Sequence, residues 1–291
     1  MLLKRATKMK NTLLVTGATG NLGREAVKAL LSAGYSIKAG SRDVAKIQPA
    51  KNLEAVTLDY TNARTFSAAL DGVTGVFLVA PPMDPEAPVK LIPFIKKAKE
   101  AGVKHIVFNS ALGVDQNEQA PLRVIERALM DSGIDYTILR PNFFMENFST
   151  GFIAPMIQRQ RRIFLAAGDG KTSFISTKDI AQVVMKAFRK AHYGKEYNLT
   201  GSEALDHAQV AKIISDASGK TITYNALPEE AMLQGARDQG IPEAAVQYMG
   251  ILYAAVRAGY MAVVTDDVRK VTGKKPITFE EFVQTNIGGW K

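Results

Sequence analysis

The chain has 291 residues, no cysteine, three histidines and a formal net charge of +9. That length can bury a full core in one large or two interleaved domains. Without cysteine, disulfides, Cys-ligated zinc and thiol catalysis are excluded, and His105, His192 and His207 show no metal-ligand spacing. Mean hydropathy is −0.04 and no apolar run reaches ~18 residues, so no membrane span is expected. The basic start, from Met1 to Lys10, lacks the apolar stretch of a secretory signal. It reads as a frayed extension, with Met9 an alternative start, and a cytoplasmic location is expected. Basic residues are spread along the chain. Their densest cluster beyond the start, Arg159-Gln160-Arg161-Arg162, is too short for a nucleic-acid-binding arm. A solvated surface with some pull on anionic ligands is the simpler reading.

In chain order, the apolar run Leu13-Leu14-Val15-Thr16 meets three glycines, Gly17, Gly20 and Gly23, and a helix-compatible stretch over residues 24–33. This is a strand, a tight turn and a helix N-terminus. The glycines let the backbone turn sharply and let a pyrophosphate approach the amide groups, and the helix dipole favours the negative charge. Thr19, Asn21 and Leu22 belong to the same turn. The position after a strand and before a helix is what makes the motif informative, and it predicts dinucleotide binding. Further strands are predicted over residues 36–39, 55–58, 75–79, 103–109 and 135–139, and helices over 63–70, 87–101 and 121–132. Such alternation calls for a parallel sheet covered on both faces, an α/β doubly wound (Rossmann) fold. Pro81, Pro82 and Pro85 mark a loop after the fourth strand, at the sheet edge where ligands of such folds sit.

After residue 150 the rhythm changes. A helix begins near Lys178, a short strand is predicted over 197–200, and helices over 206–218, 243–258 and 276–284. The expected division is a dinucleotide-binding domain over residues 11–150 and a smaller, mostly helical substrate domain over 151–291. Parts of 170–200 are expected to return to the sheet.

The second strand decides the ribose chemistry, because a carboxylate at its end binds the 2′-hydroxyl of NAD whereas an arginine accommodates the 2′-phosphate of NADP. Here the strand ends Gly40-Ser41-Arg42-Asp43. Arg42 offers a planar guanidinium and Ser41 a hydroxyl, which favours NADP over NAD; the competing reading of Arg42 is a solvated surface charge. Asp43 is better placed to cap the next helix. Asp59, after the third strand, is a candidate acceptor for the adenine amino group or, alternatively, a helix cap.

These residues resemble those of the NmrA-like atypical short-chain dehydrogenases/reductases. The resemblance rests on Gly17 to Gly23, Ser41-Arg42, Asp59, Ala80-Pro81-Pro82, Asn109-Ser110-Ala111, the stretch from Tyr136 to Asn147, and the segment from Phe174 to Ala181. It covers residues 11–200. The family includes NADPH-dependent quinone reductases, a triphenylmethane dye reductase and non-enzymatic redox sensors that bind a transcription factor, so membership alone does not decide between enzyme and sensor. The resemblance implies that Ala80 and Pro81 lie along the cofactor ribose and that Ser110 sits near the nicotinamide. It places Pro141, Asn142 and Phe143 beside the carboxamide, and Pro82, Phe144 and Asn147 at the substrate cleft. Core packing is the competing reading of Phe143 and Phe144.

Ordinary short-chain dehydrogenases protonate the substrate oxygen with a Tyr whose pKa is lowered by a Lys four residues on. No Tyr-x-x-x-Lys occurs in this chain. Ser110 remains, able to hydrogen-bond a carbonyl or anion but a poor sole proton donor. A simple ketone needs assisted protonation, because hydride addition makes a strongly basic alkoxide. A quinone, dye cation or iminium does not. The expected function is therefore hydride transfer from NAD(P)H to a small electrophilic conjugated acceptor held in an apolar pocket. The alternative is a redox sensor that regulates a protein partner. No nucleic acid, membrane or metal enters either reading, and a homodimer is compatible with both. Met156, Phe164, Tyr248, Met249, Tyr253, Tyr260, Met261 and Trp290 are candidates for the pocket wall, most of them expected to be core.

Overall fold

Strand β1 (Thr12–Val15) enters the middle of the molecule, and its residues face two different cores. Residues 11–290 are described by a computed structural model; the basic start and the choice between Met1 and Met9 lie outside the described residues. The chain continues through α1 (Asn21–Ser32), β2 (Ser36–Ser41), β3 (Leu53–Thr57), α2 (Arg64–Leu70), β4 (Gly75–Val79), α3 (Ala87–Glu100), β5 (His105–Asn109), α4 (Pro121–Met130) and β6 (Asp135–Pro141). It then forms α5 (Ala154–Gln160), β7 (Arg162–Leu165), α6 (Thr177–Ala187), β8 (Lys195–Leu199), α7 (His207–Ser218) and β9 (Thr223–Ala226). Helices α8 (Glu229–Asp238), α9 (Glu243–Arg257), α10 (Asp267–Thr272) and α11 (Phe279–Thr285) complete it.

Seven strands form one sheet in the order β3-β2-β1-β4-β5-β6-β8, every pair parallel. Successive side chains of a strand point to opposite faces, and the buried residues divide accordingly. Leu13, Val15, Phe77 and Val107 pack with Leu30 of α1 and Val183 of α6. Leu14, Val76, Leu78 and Phe108 pack with Phe66 of α2, Phe94 of α3 and Ile125 of α4. The doubly wound α/β fold is therefore present. β1 and β4 are neighbours although β2 and β3 intervene in sequence. This is the switch point at whose carboxyl end such sheets bind ligands. The structure extends β2 to Ser41 and starts β3 at Leu53, so Arg42 is the first residue beyond β2.

Beyond β6 the chain leaves the sheet, makes α5 and β7, and returns: α6 packs against α1, and β8 pairs with β6. The remaining elements enclose a third core rich in aromatic and methionine side chains, including Phe148, Phe174, Met249, Tyr253, Phe279, Phe282 and Trp290. The pair β7–β9 lies there, as do α5 and α8, none of which the hydrophobic pattern announced. The Arg159 to Arg162 cluster turns out to be a corner. Arg161 ends α5 in a left-handed conformation (φ 53°) and leads straight into β7, and a basic residue in the last turn suits the helix dipole.

The segment after α9 is strapped over the sheet. The Met261 carbonyl accepts from Asn142 Nδ2 at 2.8 Å and the Val263 carbonyl from Ser173 Oγ at 2.6 Å. Thr265 N donates to Thr200 Oγ1 at 2.9 Å, Asn198 N donates to Asp267 Oδ2 at 3.0 Å, and the Thr265 hydroxyl donates to the Asn198 carbonyl. No single helix among the described residues is long and apolar enough to cross a membrane.

Candidate active site

The glycine turn forms a cradle. Gly17 has φ +60°, a conformation that favours glycine, and its carbonyl accepts from Gly20 N at 3.0 Å. Gly23 is buried in the first turn of α1, where a Cβ would lie 2.1 Å from the Gly17 carbonyl oxygen, so only glycine lets helix and turn pack this closely. The N-cap residue of α1, Gly20, provides no side-chain cap, and the first turn, with Asn21 and the buried Leu22, carries no acid. Uncapped amides and an uncompensated helix dipole are what a pyrophosphate needs. Thr19 Oγ1 lies 3.4 Å from Ser41 Oγ, joining this turn to the end of β2.

Ser41 is buried and its Oγ accepts from Asp43 N at 3.1 Å. Arg42 next to it is exposed. Asp59 accepts through Oδ1 from Thr61 N at 2.9 Å and Thr61 Oγ1 at 2.8 Å. Those two bonds, with a smaller contribution from the Arg42 charge, hold its carboxyl below the ordinary carboxylate range. Asp59 thus serves the turn it begins, with the Arg42 charge acting on it. Asp43 caps the short 3-10 turn Val44–Lys46 through Ala45 N at 3.2 Å.

At the switch point, Thr16 Oγ1 donates to the Phe77 carbonyl at 3.2 Å and accepts from Val79 N at 2.8 Å. The Val79 carbonyl accepts from Tyr60 Oη at 3.1 Å. These bonds fix the exit of β4, so that half-buried Ala80 and Pro81 and exposed Pro82 start the loop beside the cradle. One strand over, Asn109 and Ser110 end β5. Ser110 N donates to the Leu139 carbonyl at 2.8 Å, but Ser110 Oγ and Asn109 Oδ1 are buried without a hydrogen-bond partner of good geometry.

Behind Ser110 lies a charge cluster on α4. Glu126 is fully buried, accepting from Arg140 Nε at 2.9 Å, Arg140 Nη2 at 2.7 Å and Arg123 Nη1 at 2.8 Å. Burial opposes its ionisation, but Arg140, the nearby Ser110 hydroxyl and Arg123 outweigh burial and keep its pKa below the usual value. Arg140 also pairs with Glu196 and, at 3.5 Å, with Asp115, while Arg123 pairs with Glu118 at 2.9 Å. Helix α4, where a Tyr-Lys pair would stand, has neither residue. It carries half of this closed ionic network.

The stretch after β6 splits. Pro141 and Asn142 are buried. The Asn142 amide is fully engaged: Nδ2 donates to Ser173 Oγ and the Met261 carbonyl, each at 2.8 Å, and Oδ1 accepts from Phe143 N at 2.9 Å. Its side chain is therefore an anchor for the strap. Phe143 and Phe144 are half-buried and diverge: Phe143 packs on the aromatic core beside Tyr253, Phe144 on the core between sheet and α6. Asn147 lies in the 3-10 turn Met145–Phe148, its backbone N donating to the Phe144 carbonyl at 3.1 Å. Of the pocket-wall candidates, Met249, Tyr253, Met261 and Trp290 are core, and Tyr260 is exposed.

Two further acids, buried Glu146 and half-buried Asp179, lie in the stretches that carry the resemblance but have no role assigned there. Glu146 accepts from Ser176 Oγ at 3.1 Å and Thr177 N at 3.0 Å, and burial pushes its pKa up. Asp179, which accepts from Ile277 N at 3.0 Å, is pushed up to about 6, chiefly by burial and also by the charges of Glu146 and Glu281. For Asp179 the available signal was a carboxylate among apolar residues near the start of a predicted helix. Among the described residues, no group of three or more His, Asp or Glu could hold a metal ion.

Glycine cradle, uncapped helix start, exposed arginine beyond β2 and the unpartnered Asn109 oxygen at the end of β5 thus share the carboxyl edge of the sheet, an arrangement that fits a dinucleotide. Residues 9–283 match the NmrA-like family. Among curated proteins the chain is 34% identical to an NAD(P)H azoreductase of Xenophilus azovorans, over 96% of this chain and 99% of that protein. It superposes on an NADPH-dependent quinone oxidoreductase of Escherichia coli, solved with NADPH, at TM-score 0.81 and 28% identity, covering 94% and 99% of the two chains. Triphenylmethane reductase of Citrobacter sp. shares the fold at TM-score 0.81 with 24% identity, over 95% and 99%. This chain belongs to the NmrA-like family.

Proposed function

We propose that this chain is an NAD(P)H-dependent oxidoreductase that reduces a small conjugated electrophile, a quinone or a dye, and that it prefers NADP(H) to NAD(H). In this reading residues 11–150 are the dinucleotide-binding domain and residues 151–291 the substrate domain, with parts of 170–200 returned to the sheet. The observation that carries the reading is the polar inventory around Ser110. Helix α4 supplies Arg123 and Glu126 to an ionic network with Arg140 of β6 and has no Tyr or Lys, so no side chain there is poised to protonate a strongly basic alkoxide. A weakly basic, delocalised product needs no such donor. The names of the azoreductase and of the quinone oxidoreductase support the same class.

The chain's own residues do the rest. The Gly17 to Gly23 turn and the first amides of α1 hold the pyrophosphate, while Arg42 and Ser41 hold the 2′-phosphate. Ala80 and Pro81 line the ribose, and Pro141 and Phe143 border the nicotinamide with Ser110 across from them. Pro82, Phe144 and Asn147 border the acceptor. When bound, the reduced nicotinamide supplies a hydride, and the protein contributes positioning and exclusion of water. Mixing the protein with NADPH and a panel of quinones, azo and triphenylmethane dyes should give saturable cofactor oxidation. No turnover across the panel, with different affinities for oxidised and reduced cofactor, would instead favour a redox sensor.

A further inference from the structure

Helix α9 is apolar on both of its sides. Val246, Met249, Tyr253 and Val256 are buried in the third core. On the opposite side Ala244, Gln247, Ile251, Ala254 and Ala258 are exposed, with Ile251 66% open to solvent. Between Glu243 and Arg257 the helix carries no charge at all. A solvated helix face normally holds charged residues, as neighbouring α8 does with exposed Glu229, Glu230 and Asp238. The excess of apolar surface continues past the helix. Of the seven large hydrophobic side chains exposed among the described residues, four (Ile251, Tyr260, Val263 and Val264) fall within residues 251–264.

The exposed face of α9 is complementary to itself. Counted from Ile251, its exposed positions fall at −7, −4, +3 and +7, and half-buried Tyr248 and Ala255 add −3 and +4. This is the spacing of a helix–helix seam, and it is the same in both chain directions. A two-fold axis at Ile251 therefore matches two antiparallel copies of the helix. Ile251 meets Ile251 of the partner subunit, Ala244 meets Ala258 of the partner subunit, and Gln247 meets Ala255 of the partner subunit. The charges obey the same symmetry, because the acid stands at one end of the seam and the base at the other. Antiparallel packing brings Glu243 within a turn of Arg257 of the partner subunit, whereas parallel packing sets like charges side by side. Each already pairs within its own chain, Glu243 with Arg237 at 2.9 Å and Arg257 with Glu229, so these rim charges select orientation more than they add affinity. Two chains of net charge +9 repel each other, and the seam is a face that adds no like charge. The acids at its flank, Glu229, Glu230 and Glu243, do not match an anionic bilayer.

We propose that this face of α9 is a homodimer interface, in which two copies of the chain pack their α9 helices antiparallel across a two-fold axis at Ile251. Ile251 is the central anchor and the alanines let the backbones approach closely. The interface uses no residue of the nucleotide cradle, so it stands apart from the reductase reading.

Sedimentation equilibrium in the micromolar range should give about twice the 31.6 kDa chain mass, with a melting temperature that rises with protein concentration. Ile251→Glu should return the monomer, weakening association at least a hundredfold (~3 kcal/mol), because the axis sets two carboxylates face to face. Its circular dichroism and NADPH affinity should match the wild type, since Ile251 belongs to neither the third core nor the cradle. Cysteine, which the chain lacks, tests the register. Ile251→Cys should form a disulfide dimer on oxidation, and Ala244→Cys should do so only when mixed with Ala258→Cys. A wild type that stays monomeric, a dimer that survives Ile251→Glu, or Ala244→Cys cross-linking to itself as readily as Ile251→Cys would overturn the proposal. So would a monomer that uses this face to bind anionic phospholipid vesicles.

Discussion

Two regions of this molecule bury polar side chains, and they do so in opposite ways. Behind β5 and β6, Glu126, Arg123 and Arg140 form a network in which both Glu126 oxygens accept charged donors. In the aromatic core beyond β6, Tyr253 Oη and His207 Nδ1 have no partner. A low-dielectric interior rewards complete pairing and penalises the incomplete kind, so the first arrangement behaves as scaffold. The second leaves its polar atoms uncompensated. Polar residues inside this protein thus divide by whether their valence is already spent.

The sharpest break of the contrast is Glu126→Ala, which takes the shared buried carboxylate from Arg123 and Arg140 and leaves them only Glu118, Glu196 and Asp115. Losing one partner of a buried ionic network costs about 3–5 kcal/mol. Chemical denaturation should show that loss, and a change under ~1 kcal/mol would mean that the network is not the scaffold described. Arg42→Ala tests an exposed charge instead. NADPH binding should weaken by about 1.5–3 kcal/mol, the range for a charged hydrogen bond, with NADH nearly unaffected in calorimetric titrations. Equal losses for both cofactors would place Arg42 in the fold and not at the 2′-phosphate.

Asp179 stands between the two regimes, because its one backbone donor does not compensate its burial. Its folded pKa of about 6 lies above the ordinary 3.8, so the folded state binds the proton more tightly than the unfolded state. The stability this provides is present below pH 3.8 and lost as pH rises through about 6. Asp179→Asn should therefore stabilise the protein at pH 7, on the order of 1–2 kcal/mol after allowing for partial exposure, with the gain vanishing near pH 4. Thermal melts of both proteins between pH 4 and pH 8 would show it; a pH-independent difference would not fit. The smallest effect is expected at Ser110→Ala, about 0.5–1.5 kcal/mol in turnover. An obligatory proton donor would instead lose on the order of 10²–10⁴-fold, a collapse that would place Ser110 in a proton relay.

The nucleotide-binding half was legible because its chemistry is local in sequence. A Gly-rich turn, Arg42 just past β2 and Ser110 at the end of β5 each stand at the boundary of a strand that the apolar pattern marks. The aromatic half was legible only in outline. Helices α7 and α9 stand out by their apolar content, whereas β7 and β9 are four residues each and pair residues 61 positions apart that no short-range pattern connects. Asn142 shows the same limit: it belongs to a recognisable stretch, yet its amide is committed to Ser173 and Met261, 31 and 119 residues away. Side-chain partnership at that range is decided by packing, and packing is not periodic.

The strap that ties residues 261–267 to β8 has a consequence for association. A sheet of seven strands has two edges, each a row of backbone groups able to template another chain. At the β8 edge, Thr265 and Asp267 already satisfy the Asn198 carbonyl and N–H, so an intruding strand must first displace them. The opposite edge, β3, instead presents the exposed side chains of Glu54, Ala55 and Thr57, with Lys51 just before it. One edge is thus covered by hydrogen bonds from a later segment of the same chain, and the other is left with its side chains in solvent.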